Sequence, residues 1–472
     1  MTAVRGALRR VQAGNALGAF GNGFTVPFLF IYVAQVRQIG AGTAGAVFST
    51  LAVSALAVLP FVGRAIDRRG PRPVLITGAA TAALGAATFG FATTAPLAMV
   101  AAALIGAGMA VIEPALATLI VWCSTSATRS RAFATQFFLK NLGLGVGGLI
   151  GGLIVDTSNP ASFTLLFGID AAMFLVLGLV AGTVRLPGHT RFMVSPSGAK
   201  VTAEETAAQK TVVKGAAATG ATAGAGSEGN GWHAIVRDRA MLRVCVLSAV
   251  LFFTCYGQFE TGLAAFATEV TRVSPATLGV ALTANTAAIV LAQFLVLKPV
   301  ERRRRSRVIA LVGLVWTVAW VAAGASGPLN EHRLVATAAL LSTYALFGIG
   351  EALLSPTLAP LVADLAPAPL LGRYNAAFAL VKQVALAVGP AVGGVLAGAG
   401  MYGAYIAGLV VCSLLITVLA VRLARYLTAA QDNVPVKNAK KVSASAAVAE
   451  SSLPVRTGTE AGRASAPAEV SA

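Results

Sequence analysis

From Pro73 to Ile112 the chain runs for 40 residues without a charged side chain, and from Gln383 to Val421 it does so again. Crossing roughly 30 Å of hydrocarbon takes about 20 apolar residues. Each stretch therefore supplies two crossings folded at a turn, and the turns are legible as Thr93-Thr94-Ala95-Pro96 and Gly398-Ala399-Gly400-Met401. The rest of the chain has the same character, with 56% of its 472 residues hydrophobic and 11% charged, against about 25% charged in soluble domains. Apolar windows predict spans at 11–36, 43–62, 73–92, 96–121, 132–155, 162–184, 244–268, 276–297, 308–325, 334–363, 374–398 and 402–421. The expected fold class is an all-α membrane protein of 12 transmembrane helices.

The formal charge of +18 could point to nucleic acid, but the placement of the basic residues points to a membrane. Of the 36 Lys and Arg, the spans put Arg37, Arg272 and Arg333 in outer loops and Lys140 and Lys382 inside helices. The remaining 31 fall on one side, which the positive-inside rule makes cytoplasmic. Both termini are then expected in the cytoplasm of a multi-pass cell-membrane protein, and the Ala, Gly and Arg bias fits a bacterial source. Cys123, Cys245, Cys255 and Cys412 show no metal or redox spacing and read as packing residues. The first apolar stretch is too long for a cleavable leader and reads as the first span.

Residues 186–236 are low in complexity and read as a cytoplasmic linker between an N-terminal six-helix bundle (1–185) and a C-terminal one (237–427); 428–472 reads as a disordered cytoplasmic tail. The two bundles are related. At a fixed offset of 242, Gly106, Gly108, Pro114, Leu116, Arg131, Lys140, Gly147, Gly151 and Gly152 meet Gly348, Gly350, Pro356, Leu358, Arg373, Lys382, Gly389, Gly393 and Gly394. Nine coincidences predict two pseudo-symmetric six-helix bundles, an arrangement suited to rocking about a central site.

After the second span the chain reads Gly63-Arg64-Ala65-Ile66-Asp67-Arg68-Arg69-Gly70-Pro71-Arg72. This resembles the signature loop of the major facilitator superfamily, Gly-x-x-x-Asp-Arg-x-Gly-Arg-Arg, with Pro71 at a usually basic position. The resemblance covers roughly residues 10–425 and implies that Gly63, Asp67, Arg68, Gly70 and Arg72 form a gating loop, glycine allowing the tight approach and the charges an ionic latch. In the second half, Leu297 to Arg307 keeps an acid at Glu301 and carries the run Arg302 to Arg305, read as a topology anchor or, more sharply, as a site for anionic lipid headgroups.

Gly143, Gly147 and Gly151 lie at four-residue spacing in the fifth span, a face suited to close helix packing. The superfamily's antiporters carry Gly-Pro-x-x-Gly-Gly there. Here glycine (Gly148) replaces the proline, whereas the eleventh span has the pattern intact from Gly389 and Pro390 to Gly393 and Gly394. Pro27-Phe28-Leu29, Tyr32, Glu113-Pro114, Tyr256-Gly257-Gln258, Asn285 and Gln293 are similar to the 12-span drug/proton antiporter branch, although the arginine many antiporters carry early in the fourth span is Ala102 here.

Ionisable groups inside a bilayer cost about 2.5–3.5 kcal/mol each on insertion scales, so they are functional candidates with a partner to be named. Glu113, Lys140, Asp170, Glu260, Glu351 and Lys382 qualify. At 1.5 Å per residue Glu113 and Lys140 both lie about 13 Å deep, which predicts a Glu113–Lys140 pair and, in the second half, a Glu351–Lys382 pair. Carboxylates facing a low-dielectric cavity can exchange protons near neutral pH and attract cations. Glu113, Glu351, Glu260, Lys140, Lys382, Gln258 and Asn285 are thus the expected proton-coupling and cargo-binding set, and Asp170 is expected to be structural.

The resemblance implies a secondary active transporter, with proton-coupled export of lipophilic small molecules or drugs as the leading reading. The alternatives are a proton-coupled carrier of an anionic metabolite, with the lysines as a clamp, and a non-transporting receptor. His189, His233 and His332 all lie in loops, which argues against an intramembrane histidine metal site and a membrane enzyme. The chain has no nucleotide-binding Gly-rich loop. No cofactor is expected beyond the proton gradient, and the expected partners are a small-molecule substrate, protons and membrane lipids around a monomer.

Overall fold

The computed structural model describes residues 2–39, 41–184, 231–258, 262–273, 275–301 and 303–433. The linker at 186–230, the tail from 434, His189, Glu260 and Arg302 lie outside the described residues. The principal helices are α1 (Thr2–Thr25), α2 (Ala41–Arg69), α3 (Pro71–Gly90), α4 (Ala95–Trp122), α5 (Ser126–Ile154) and α6 (Pro160–Thr183), then α7 (Arg239–Thr254), α8 (Pro275–Glu301), α9 (Arg305–Ser326), α10 (Arg333–Leu354), α11 (Leu371–Gly398) and α12 (Tyr402–Leu423). Among the described residues, nine helical segments are long and apolar enough to cross a membrane, and they coincide with nine of the twelve expected spans. The other three are α1, α7 (16 residues long) and α8, whose apolar core is Val280–Leu295.

Packing repeats between the halves. In the first, α1 packs on α5 and α6, α4 on α2 and α3, and α3 on α6; in the second, α7 packs on α11 and α12, α10 on α8 and α9, and α9 on α12. The halves meet through α2 with α11 and α5 with α8, which are again equivalent pairs. The duplication read from nine residues therefore governs the whole packing scheme.

The first helix of each half is broken. α1 passes at Val26–Phe28 into a tight 3-10 turn containing Pro27, then into a π turn at Tyr32–Val36. α7 unwinds at Cys255–Gln258 and continues through Gly262–Ala265 to a π turn at Phe266–Val270. Proline removes a backbone donor and glycine tolerates the irregular turn, so the breaks fall where the sequence carries these residues. In a bilayer such breaks persist only where protein groups satisfy the freed backbone. Gln258 does this in α7, donating Nε2 to Phe253 O (3.0 Å) and Gly389 O (3.3 Å).

The glycine stripes are packing devices. A Cβ at Gly143 or Gly147 would lie 2.4 Å from Ala16 O or 2.0 Å from Phe20 O, and one at Gly151 would meet Phe28, so α1 and α5 touch backbone to backbone. In the second half Gly389 packs on Gly257 and Gly393 on Gly262, while Pro390 lies within α11.

Two segments read as unstructured carry order. Gly231–Arg237 is a short helix ending at Asp238, whose carboxylate caps α7 by accepting from Ala240 and Met241 N–H. Beyond α12, Asp432 accepts from Ser306 N–H (2.8 Å) and Ser306 Oγ (2.9 Å) and so caps α9.

Candidate functional site

The two halves are latched at the arginine-rich end by the signature loop. Asp67, at the end of α2, accepts from Gly372 N–H (2.7 Å) at the start of α11 and faces Arg373 Nε at 3.6 Å. A carboxylate at a helix N-terminus meets unpaired amides and the positive end of the dipole. The approach needs small residues, because a Cβ at Gly63 would fall 2.6 Å from Arg373 Cα. Gly70, at φ 81°, makes the turn into α3. Arg72 donates to Gly182 O at the end of α6, and Arg68 also has a partner.

Sequence reasoning missed a second latch. Asp364, after α10, pairs with Arg129 of α5 across the halves and with Arg305 at 2.6 Å within its own half. Arg305 also donates to Gln431 O (3.0 Å) in the segment after α12. This corrects the lipid reading of the Arg302 to Arg305 run at Arg305, which is buried in an internal network. These charges sit near helix ends, where ionised residues are ordinary, so nothing in the sequence marked them.

Beyond the latches the halves part. On α11 the stripe that meets α2 at Arg373 and Ala376 continues at helical spacing through Gln383, Ala387, Ala391 and Gly394, and the last three are exposed. The contact is thus confined to one end, and a cleft opens toward the other.

At the floor of this cleft stands a charge cluster whose pairing differs from expectation. Lys382 of α11 donates to Glu113 Oε1 of α4 at 2.7 Å, joining the halves. It also stands 5.7 Å from the ring centre of Phe252 on α7. The Glu113 side chain is 47% exposed and that of Lys382 19%. Lys140 lies within the field of both groups, but the ion pair goes to Lys382. The expected Glu351–Lys382 pair is not formed. Glu113 and Lys382 share a level, but depth does not say which facing helix is nearer, and α11 packs on α4.

Glu351, 5% exposed, has a different environment. It accepts from Asn285 Nδ2 at 3.3 Å and from the Tyr256 hydroxyl. Asn285 is itself fixed by donating to Tyr344 O (3.1 Å). Among the described residues Glu351 is met by an amide and a phenol and by no cation. Gln258, expected in the cavity, is 1% exposed and accepts from Tyr405 (3.1 Å). It braces the α7 break instead. Asp170 is fully buried and accepts from Thr25 Oγ1 at 2.5 Å, tying α6 to the α1 break. Asn375 donates to Thr118 Oγ1 (3.1 Å) between the latch and the cluster, a further contact across the halves.

Duplicated bundles, paired broken helices, a signature-loop latch and an ion pair beneath a one-sided cleft point to a class, the membrane transporters. The family model of the Major Facilitator Superfamily matches residues 13–274 and again 263–457, and the chain belongs to that superfamily. Over 162 residues it is 30% identical to the multidrug resistance protein MdtG of Klebsiella pneumoniae, a stretch covering 34% of this chain and 37% of that protein's length. Solved structures share the fold: the human organic anion transporter MFSD10 (TM-score 0.62, 17% identity, 90% of this chain and 99% of that one), the E. coli fucose:proton symporter (0.64, 17%, 89% and 98%) and a bacterial homologue of the iron transporter ferroportin in its outward-facing state (0.65, 13%, 89% and 99%).

Proposed function

We propose that this transporter exports lipophilic, cationic or neutral small organic molecules from a bacterial cell in exchange for protons, through alternating access of twelve helices in the cell membrane. The carrying observation is the Glu113–Lys382 pair, which joins the halves at the cleft floor while leaving Glu113 half exposed. A proton or a cationic cargo that takes Glu113 removes the partner of Lys382 and leaves it facing Lys140, so occupancy loosens the joint between the halves. Glu351 is the second proton site, because partners that are not cations let it gain a proton without breaking an ion pair. The arginine-rich end is taken as cytoplasmic by the positive-inside rule, which makes the conformation outward-open. The partial likeness to a multidrug resistance protein supports this reading.

Lys140 and Lys382 against one Glu113 carboxylate leave one positive charge in excess at the cleft floor, which favours a second reading, carriage of an organic anion. Inside-out vesicles separate the two. With an imposed proton gradient and a panel of cationic dyes, neutral antibiotics and organic anions, Glu113→Gln abolishes cation uptake under the first reading. Under the second, Lys140→Gln with Lys382→Gln abolishes anion uptake and Glu113→Gln spares it. Unchanged uptake in all variants would refute both.

A further inference from the structure

At the arginine-rich end a groove of about 540 Å³ lies between α7 and α12. Its rim carries Arg243, Arg422, Arg425 and Tyr426, and its walls include Val246 and Leu419. We infer that this groove is a specific site for one anionic phospholipid, with the phosphate held by the three arginines and an acyl chain laid against Val246 and Leu419.

Three features converge. The charge is single-signed and comes from two helices, with Arg422 and Arg425 exposed. Among the described residues neither is held in an ion pair. Asp238, at the start of α7, is committed to capping that helix and to accepting from Tyr374 (2.7 Å). The rim is also ordered in advance. The Arg243 guanidinium stacks 3.3 Å from the centre of the Tyr426 ring, and Arg243 Nη1 donates to Arg239 O (3.3 Å). A guanidinium fixed in this way presents its remaining N–H fork to a phosphate with little entropy to lose.

The third feature is the boundary itself. Val246 is 54% exposed, and Val418 and Val421 on α12 are also exposed. That face is hydrocarbon-facing immediately below the arginines. Arginines at the headgroup level above an apolar groove match a two-part ligand with an anionic head and a hydrocarbon tail, whereas a free phosphate would use only the rim.

The test uses the full-length protein in detergent and native mass spectrometry, with phosphatidylglycerol, phosphatidylcholine and inorganic phosphate as probes. Wild type is expected to retain one phosphatidylglycerol in preference to phosphatidylcholine and to keep it in millimolar phosphate. Arg243→Gln/Arg422→Gln/Arg425→Gln is expected to weaken retention by about 100-fold, roughly fivefold per arginine. A control triple of equal charge, Arg303→Gln/Arg304→Gln/Arg307→Gln, keeps it. Because the first triple could misfold, Val246→Trp serves as a second variant that fills the apolar groove and leaves the charges; it too loses the lipid. Equal retention in the two triples, or full displacement by inorganic phosphate, overturns the assignment.

Discussion

Lys382 and Lys140 occupy equivalent places in the two halves, yet among the described residues the ion pair forms at Lys382 and not at Lys140. Lys382 on α11 pairs with Glu113 on α4. The position equivalent to Glu113 at the offset of 242 is Ser355, just after α10, so Lys140 on α5 has no matching carboxylate opposite. The second-half carboxylate is Glu351, four residues earlier in the chain and seated among Asn285 and Tyr256. Duplication thus built a symmetric scaffold with its carboxylates at non-equivalent positions: one joins the halves through a cation, and the other meets no cation among the described residues.

The largest expected effect comes from removing the charged joint. Glu113→Gln leaves Lys382 and Lys140 facing each other and should shift the balance between closed and open arginine-rich ends by on the order of 2 kcal/mol, roughly 30-fold. The readout is loss of gradient-driven uptake together with faster labelling of a cysteine placed at that end. Restoring symmetry acts the other way. Ser355→Glu should give Lys140 a partner, hold the arginine-rich end closed and slow turnover several-fold, with cargo binding retained in an equilibrium assay.

Glu351→Gln is expected to be milder for the fold and selective for coupling. Glutamine can keep the contact with Asn285, so thermal stability should change by less than about 1 kcal/mol, while the pH dependence of transport flattens. Asp67→Asn keeps the shape and removes the charge at the start of α11, a loss of about 1 kcal/mol, readable as about fivefold faster opening of the same end. The smallest effect on transport belongs to Asp432→Ala, which removes the cap from α9 at a cost of about 1 kcal/mol in stability alone. It should lower the melting temperature by a few degrees and leave the ratio of transport between Glu113→Gln and wild type unchanged.

How far the sequence reached follows from the kind of information each feature needs. Helices, the duplication and the signature loop were legible because they rest on local composition, a fixed offset and a contiguous motif. The depth of Glu113 and Lys382 was legible from the helical rise. Their pairing was not, since it depends on which helix faces which across the halves. Asn285 and Tyr256 were noted singly, but only packing joins them to Glu351. Asp364, Arg129 and Asp432 were invisible for a different reason, as charges at helix ends need no partner in a sequence to be expected there. Gln258 misled because a polar residue inside a span serves equally well to line a cavity or to mend a broken helix.

The most direct measurement is the distance between the two halves at the arginine-rich end. Spin labels at Ser124→Cys, after α4, and Ala368→Cys, before α11, in a chain lacking its native cysteines, report whether that end is closed. Wild type without cargo should show one short distance, Glu113→Gln should add a longer population, and the charge swap Glu113→Lys/Lys382→Glu should return the short one. An unchanged distribution in Glu113→Gln would contradict the claim that this ion pair holds the halves together.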